Sequence, residues 1–308
     1  MSTELQNIIE KFLYQCEKNK ILVIEQKDIP YGEQYKLEIN GDKIILNMYF
    51  SEKKGFSYVI GGKKNPKAEF IVNRILSYVS ANRKETELKH KWNVWVGSDE
   101  SGKGDFFGAL VVTCFRVERD KVPELLKLGI TDSKKLKDSE IKTIAHQIYR
   151  LFPGCFESIA LTPEKYNELY AKFASRGKKL NELLAWMHTR AILNLKQKKD
   201  FEGAVVDKFT ADKNLKNSLS EFKNIKLINM IKAEEDPAVA AASVLSRYQF
   251  LMNMKSLSIK YGMEFPKGAS QKVISFGKEF IKKYSVAELR KTSKIHFQTY
   301  KKICGDIS

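Results

Sequence analysis

Apolar positions recur at helical spacing from the start of the chain. Leu5, Ile8, Ile9, Phe12, Leu13 and Cys16 fall on one face of a helix over residues 3–18. The period then changes to two. YKLEI (35–39) and KIILNMYF (43–50) flank Asn40-Gly41-Asp42, and Asn-Gly between apolar runs is the strongest short hairpin signal. FSYVIGG (56–62) reads as a third strand, and Pro66 stands near the start of another helix carrying Phe70, Ile71, Ile75, Leu76 and Val79 on one face. These elements predict a small α+β unit over residues 1–82. Residues 83–91, RKETELKHK, are polar and charged and suit a linker.

A larger α/β pattern occupies residues 92–308. VWVGS (94–98) and ALVVTCFRV (109–117) read as strands, and AVVD (204–207) and KLINMI (226–231) as two more. Helices are predicted at about 137–150 and 180–198. DPAVAAASVLSRYQFLMNM (236–254) reads as a long helix with an Asp-Pro start, whose alanines allow close packing on a sheet. No apolar run reaches the ~18 residues of a membrane-spanning helix. The N-terminus carries Glu4 and Glu10 and lacks the apolar stretch of a secretory signal.

Charge changes the picture. Lys and Arg number 54 against 37 Asp and Glu, a net +17. Residues 251–308 hold 12 basic and 4 acidic side chains, so this fifth of the chain carries +8. Such an excess favours a polyanionic partner, because each Lys or Arg set on a phosphate releases condensed counterions. The four cysteines, Cys16, Cys114, Cys155 and Cys304, are far apart and form no CxxC, so a reducing, cytoplasmic setting is expected.

The candidate chemistry centres on GSDESGKGDFFGA (97–109). Gly97-xxxx-Gly102-Lys103 follows a phosphate-binding loop up to its last position, where Gly104 replaces the Ser or Thr that would hold magnesium. Asp99 and Glu100 inside such a loop would repel phosphate, which argues against a nucleoside triphosphatase. Taken alone, the two acids also fit a solvated turn or a helix cap. Further carboxylates point elsewhere. Asp207 ends an apolar strand, and Glu234, Glu235 and Asp236 cluster between a strand and a helix. Ligand sites in open α/β sheets lie outside the carboxyl ends of strands. Hard oxygen ligands suit Mg²⁺ or Mn²⁺, and a pair of such ions forms the clamp used for in-line phosphodiester displacement. The histidines, His90, His146, His188 and His296, form no HxH or HExxH pattern and read as structural or exposed.

GSDESGKGDFFGALVV, followed in order by TDSKKL (131–136), NELLAWMH (181–188), VVDKF (205–209) and AEEDPAVAAASVLSRYQFL (233–251), closely resembles bacterial ribonuclease HIII. The resemblance covers nearly all of residues 92–308. It implies a ribonuclease H-like mixed sheet flanked by helices, preceded by a TBP-like substrate-binding domain. It also implies a monomeric endoribonuclease that uses Mg²⁺ or Mn²⁺ to hydrolyse the RNA strand of RNA–DNA hybrids, leaving 5′-phosphate and 3′-hydroxyl ends. Asp99, Glu100 and Asp207 match the family's metal-binding catalytic carboxylates. The KAE context favours Glu234 as the fourth; Asp236 is the alternative, although Asp before Pro237 also fits an ordinary helix cap. Gly102, Lys103 and Gly104 look like the GRG turn of the related ribonuclease HII family, whose backbone contacts the ribose 2′-hydroxyl. A side chain at Gly104 is expected to disturb both the approach and the backbone angles of that turn. Ser133, Lys134 and Lys135 suit a backbone phosphate, and Lys53, Lys54, Lys63, Lys64 and Lys67 could grip a duplex from the N-terminal unit. One departure is visible: Ala109 stands where the family reads Pro after GDFFG. Two rivals differ in outcome. One is a ribonuclease HII-like enzyme nicking at single ribonucleotides; the other is a non-catalytic nucleic-acid-binding protein.

Overall fold

The structure is a computed structural model that describes residues 3–51, 55–62, 65–79, 88–130, 133–207 and 225–305. It divides into two compact units, one of Met1–Glu87 with Leu126–Gly129 and one of Leu88–Leu125 with Ile130–Ser308. No helix among the described residues is long and apolar enough to cross a membrane.

In the first unit, an antiparallel sheet runs in the order β1 (Leu22–Ile29), β2 (Gly32–Ile39), β3 (Asp42–Ser51), β4 (Gly55–Gly61). Asn40 and Gly41 both take positive φ, +51° and +85°, which is what the tight β2–β3 turn requires of Asn-Gly. Helices α1 (Thr3–Lys18) and α2 (Pro66–Val79) bring Leu5, Ile8, Ile9, Phe12, Val72 and Leu76 into one core with Tyr35, Leu37, Ile44, Leu46 and Met48. Strand β1 has no counterpart in the sequence reading. It is an edge strand with every residue but Ile29 exposed, so it lacks the alternation that marks a half-buried strand. Lys53, Lys54, Lys63 and Lys64 lie outside the described residues, as does the side chain of Lys67.

The second unit is built on a mixed sheet, β7-β6-β5-β8-β9. Its strands are β5 (Val94–Ser101), β6 (Leu110–Glu118), β7 (Phe156–Leu161), β8 (Gly203–Asp207) and β9 (Lys226–Met230). Central β5 runs antiparallel to β6 and parallel to β8, with Ser98 opposite Val206. Around the sheet lie α3 (Val122–Leu126), α4 (Asp138–Leu151), α5 (Pro163–Ala174), α6 (Leu180–Lys196) and α7 (Pro237–Tyr261), followed by α8 (Gln271–Lys283), α9 (Val286–Thr292) and α10 (Gln298–Cys304).

The two faces of β5 meet different helices because successive side chains of a strand point to opposite sides. Val96 joins Val112, Ala204 and Val206 against Leu183, Leu184, Met187 and Ile192 of α6. Trp95 and Gly97 face α7. A methyl group added at Gly97 would come within 2.6 Å of Val239 Cα, so only glycine lets strand and helix backbones touch there. The alanine-rich start of α7, Ala238 to Ala242, is wholly buried against the sheet.

Candidate active site

Strand β5 extends through Ser101, so Asp99 and Glu100 lie within its end rather than in a turn after it. This removes the phosphate-loop reading, because Gly97–Ser101 is extended and paired with β6 throughout, and with β8 as well at Gly97 and Ser98. Asp207 ends the neighbouring parallel strand, at the level of Asp99. A cleft of about 640 Å³ opens at these strand ends, lined by Asp99, Glu100, Asp207, the Gly102-Lys103-Gly104 turn, Ser133 and Lys134. Ser243 and Arg247 of α7 complete its wall.

The pleat sends the two adjacent acids to different partners. Asp99 faces α7, where Ser243 donates to it, and accepts the backbone N–H of Glu100 at 2.8 Å. Burial, and then the charges of Glu100 and Asp207, outweigh these bonds and push its carboxyl up to about 7. Glu100 faces α6. His188 Nε2 stands 3.3 Å from Oε2, and Lys103 Nζ 3.4 Å from Oε1. Burial alone would raise the Glu100 carboxyl, but the hydrogen bond and charge of His188, then those of Lys103, hold it below the usual range. Ser98, His188 and Glu100 thus form a chain, with Ser98 Oγ 2.7 Å from His188 Nδ1. It is not a nucleophilic triad, since Ser98 is wholly buried beneath the sheet surface.

Of the four expected carboxylates, three share the cleft. Glu234 is half-buried in a short 3₁₀ turn, Ala233–Glu235, and does not line it. The turn adjoins the site all the same, because Ala233 N–H donates to Asp207 Oδ1 at 3.3 Å. Asp236 is a structural residue. Its Oδ1 accepts from Trp95 Nε1 at 3.1 Å and from the N–H groups of Ala238 and Val239, which caps α7 at the end of β5 remote from Asp99.

The glycine turn differs from expectation in one respect. The positive φ lies at Gly102, +88°, where a methyl group would also strike Ala109 O and stand 3.0 Å from Phe250. Gly104 has an ordinary φ, is exposed, and has open space where a side chain would begin. The residues after the turn are clamped by the C-terminal segment. Lys294, wholly buried, donates through Nζ to Asp105 O at 2.8 Å and Gly108 O at 2.7 Å, and its N–H donates to Phe106 O. Ser133 is tied to Ser243 at 2.7 Å between hydroxyl oxygens, Lys134 is exposed at the rim, and Lys135 lies in the same 3₁₀ turn, its side chain outside the described residues.

Sequence reasoning missed Ser243, Arg247 and His188 as members of this site. Arg247 was findable as a cation one helical turn beyond Ser243 on a helix buried against the sheet. His188 was findable as the one ionisable side chain besides Arg190 in a largely apolar run, Leu183 to Leu195.

The family model described as Ribonuclease HII matches residues 96–300. The chain is similar to the ribonuclease HIII of Chlamydia felis, 33% identical with all of both chains covered. It is also similar to that of Chlamydia pneumoniae, 38% identical over 99% of this chain and 97% of the relative. Among solved structures it is similar to Bst-RNase HIII in complex with Mn²⁺, with a TM-score of 0.64 and 24% identity over 97% of this chain and 95% of the other. RNase H3 of Aquifex aeolicus matches with a TM-score of 0.55 and 26% identity, covering 94% and 96% of the two chains. The family model spans the cleft and the relatives span the whole chain: the protein belongs to the ribonuclease HIII family and is a ribonuclease H, an endoribonuclease acting on RNA in RNA–DNA hybrids.

Proposed function

We propose that Asp99, Glu100 and Asp207, with Glu234 as a fourth carboxylate, hold two divalent ions, Mg²⁺ or Mn²⁺, for cleavage that leaves 5′-phosphate and 3′-hydroxyl ends. The observation that carries this reading is the crowding of three carboxylates at two adjacent strand ends, where burial, and then the charges of Glu100 and Asp207, push Asp99 up to about 7. Cations relieve that repulsion, and an all-oxygen donor set suits hard divalent ions. Among the described residues no three His, Cys, Asp or Glu side chains converge on one point, so the fit rests on donor chemistry and shared charge, not on a preformed cage. The similar Bst enzyme crystallised with Mn²⁺ supports the same class of ion.

Bound ions would supply Lewis-acid activation of water and of the phosphodiester. The chain's own residues supply position. Gly104 offers exposed backbone at the mouth of the cleft, suited to a ribose 2′-hydroxyl, while Gly102 gives the turn its shape. Ser133, Lys134 and Lys135, joined by Arg247, suit the phosphates on either side of the cut. Residues 1–82 serve as a TBP-like substrate-binding domain joined through 83–91 to the catalytic domain, 92–308. The enzyme acts as a monomer in the cytoplasm; the four cysteines, none in a disulfide, agree with a reducing compartment.

The test is cleavage of one hybrid substrate with and without divalent ion. Cleavage is expected to vanish in EDTA and in Asp99→Asn, with hybrid binding by that variant largely kept. Undiminished cleavage in EDTA refutes the metal reading.

A further inference from the structure

We propose that His188, seated between Ser98 and Glu100, is a positioning residue that orients the Glu100 carboxylate toward its divalent ion. The inference rests on the reading of Glu100 as a metal ligand. His188 itself is wholly buried and meets no substrate.

Its surroundings make the residue costly unless it does something. On α6 it is packed among Leu184, Ala185, Met187, Ala191 and Ile192, all buried. An aliphatic side chain would suit that stretch better, since a buried imidazole needs partners for its polar nitrogens. Both nitrogens have them: Ser98 Oγ at 2.7 Å from Nδ1, and Glu100 Oε2 at 3.3 Å from Nε2.

A carboxylate only accepts, so the nitrogen facing Glu100 must carry a hydrogen, and Nε2–H donates to Glu100 Oε2. At the other side of the ring Ser98 Oγ, itself bonded to Thr113 O at 3.1 Å, stands 2.7 Å from Nδ1 and fixes the ring's orientation. Ser98 therefore seats the ring, and the ring holds one oxygen of Glu100.

The consequence for the site is directional. With Oε2 held from the α6 face, the carboxylate cannot swing freely, and Oε1 is left on the side of Lys103. Asp99 is held from the opposite face by Ser243. Each of the paired acids thus has its own helix as an anchor, and partners behind a metal ligand matter because they orient it.

Mn²⁺ binding by the full chain, measured by calorimetry without substrate, tests the inference alongside thermal melting. His188→Phe keeps the ring and loses the donor; His188→Gln keeps an amide N–H able to replace Nε2–H. His188→Phe is expected to weaken Mn²⁺ binding roughly 10–100-fold. His188→Gln should recover most of it, and both should bind hybrid normally in EDTA. Ser98→Ala is expected to weaken Mn²⁺ binding less, and to add nothing in the His188→Phe background; it also serves if His188→Phe fails to fold, and wild-type Mn²⁺ affinity in Ser98→Ala then overturns the idea. A folded His188→Phe with wild-type Mn²⁺ affinity overturns the inference. So does a loss of affinity that tracks melting temperature equally in the Phe and Gln variants, which marks a scaffold role. Glu100→Gln separates the two levels: unchanged Mn²⁺ affinity there refutes the ligand reading itself, whatever His188 does.

Discussion

Gly102 and Gly104 stand two residues apart in one turn, and a side chain would meet opposite surroundings at the two positions. A side chain at Gly102 meets two penalties. Its φ of +88° costs an L-residue about 1–2 kcal/mol. A methyl group there would strike Ala109 O and press on Phe250, and overpacking of that kind costs about 1–3 kcal/mol. Gly102→Ala should therefore lose roughly 2–5 kcal/mol, or about 5–20 °C of melting temperature for a unit of this size. Gly104→Ala meets nothing within 4 Å and needs no unusual φ. Its stability should stay within about 0.5 kcal/mol of the parent. Its methyl group would instead stand between the backbone and the sugar, and a displacement near 1 Å can cost about 100-fold in rate. Scanning fluorimetry and hybrid cleavage measured on the same preparations separate the two. A stable Gly104→Ala with turnover down about 10–100-fold, beside a destabilised Gly102→Ala, is the expected pattern. Equal melting of the two variants refutes the steric argument. Wild-type cleavage by Gly104→Ala refutes the approach of this backbone to the ribose.

Three further outcomes follow from other parts of the molecule. Burial holds Lys294 down to about 7 from 10.5, so between those values the unfolded chain binds a proton that the folded chain does not; stability should rise with pH through this window, and Lys294→Met should flatten the rise in urea titrations while costing about 1–3 kcal/mol for each carbonyl left unpaired. Asp236→Asn should lower the melting temperature modestly with turnover per folded molecule unchanged, whereas Glu234→Gln should lower metal-dependent turnover at constant stability, and the reverse ranking in steady-state rates would return the fourth-ligand role to Asp236. Deleting residues 1–85 should weaken hybrid binding and flatten its dependence on salt, as measured by fluorescence anisotropy, because fewer phosphate contacts release fewer counterions.

Much of the architecture was legible because local rules and tertiary demand agree. Asn40-Gly41 marked its hairpin, and AVVD marked a buried strand ending in an acid. Strands β1 and β7 were missed for a shared reason: their burial does not alternate, so they carry no period-two signal. The candidate site was legible in its acids and its glycine turn. It was not legible in the side chains that hold them, since Ser98, His188 and Ser243 acquire meaning only through packing between elements far apart in the chain. One local clue was present. Two consecutive acids in a strand must point to opposite faces, so Asp99 and Glu100 needed separate partners from separate helices.

Helix α7 shows how such a partner is delivered. Asp236 bonds Trp95, Val239 lies on Gly97, Ser243 donates to Asp99, and Phe250 packs at Gly102. Steps of three, four and seven residues along the helix keep one stripe turned to the strand. The lengths match as well. From Asp236 to Phe250 a helix rises about 21 Å, at about 1.5 Å per residue. From Trp95 to Gly102 a strand advances about 23 Å, at about 3.3 Å per residue. Helix and strand can therefore run side by side in register over this whole distance. The register is pinned at its start by the Asp236 cap on Trp95 and by the bare backbone of Gly97, neither of which touches the cleft. A slip of one residue in α7 would turn the stripe by about 100° and carry Ser243 away from Asp99. Glycine at 97 and aspartate at 236 thus act on the active site through geometry alone. This is why Asp236, although acidic and only two residues from the candidate ligand Glu234, is better understood as the bolt that sets the helix than as a member of the carboxylate cluster.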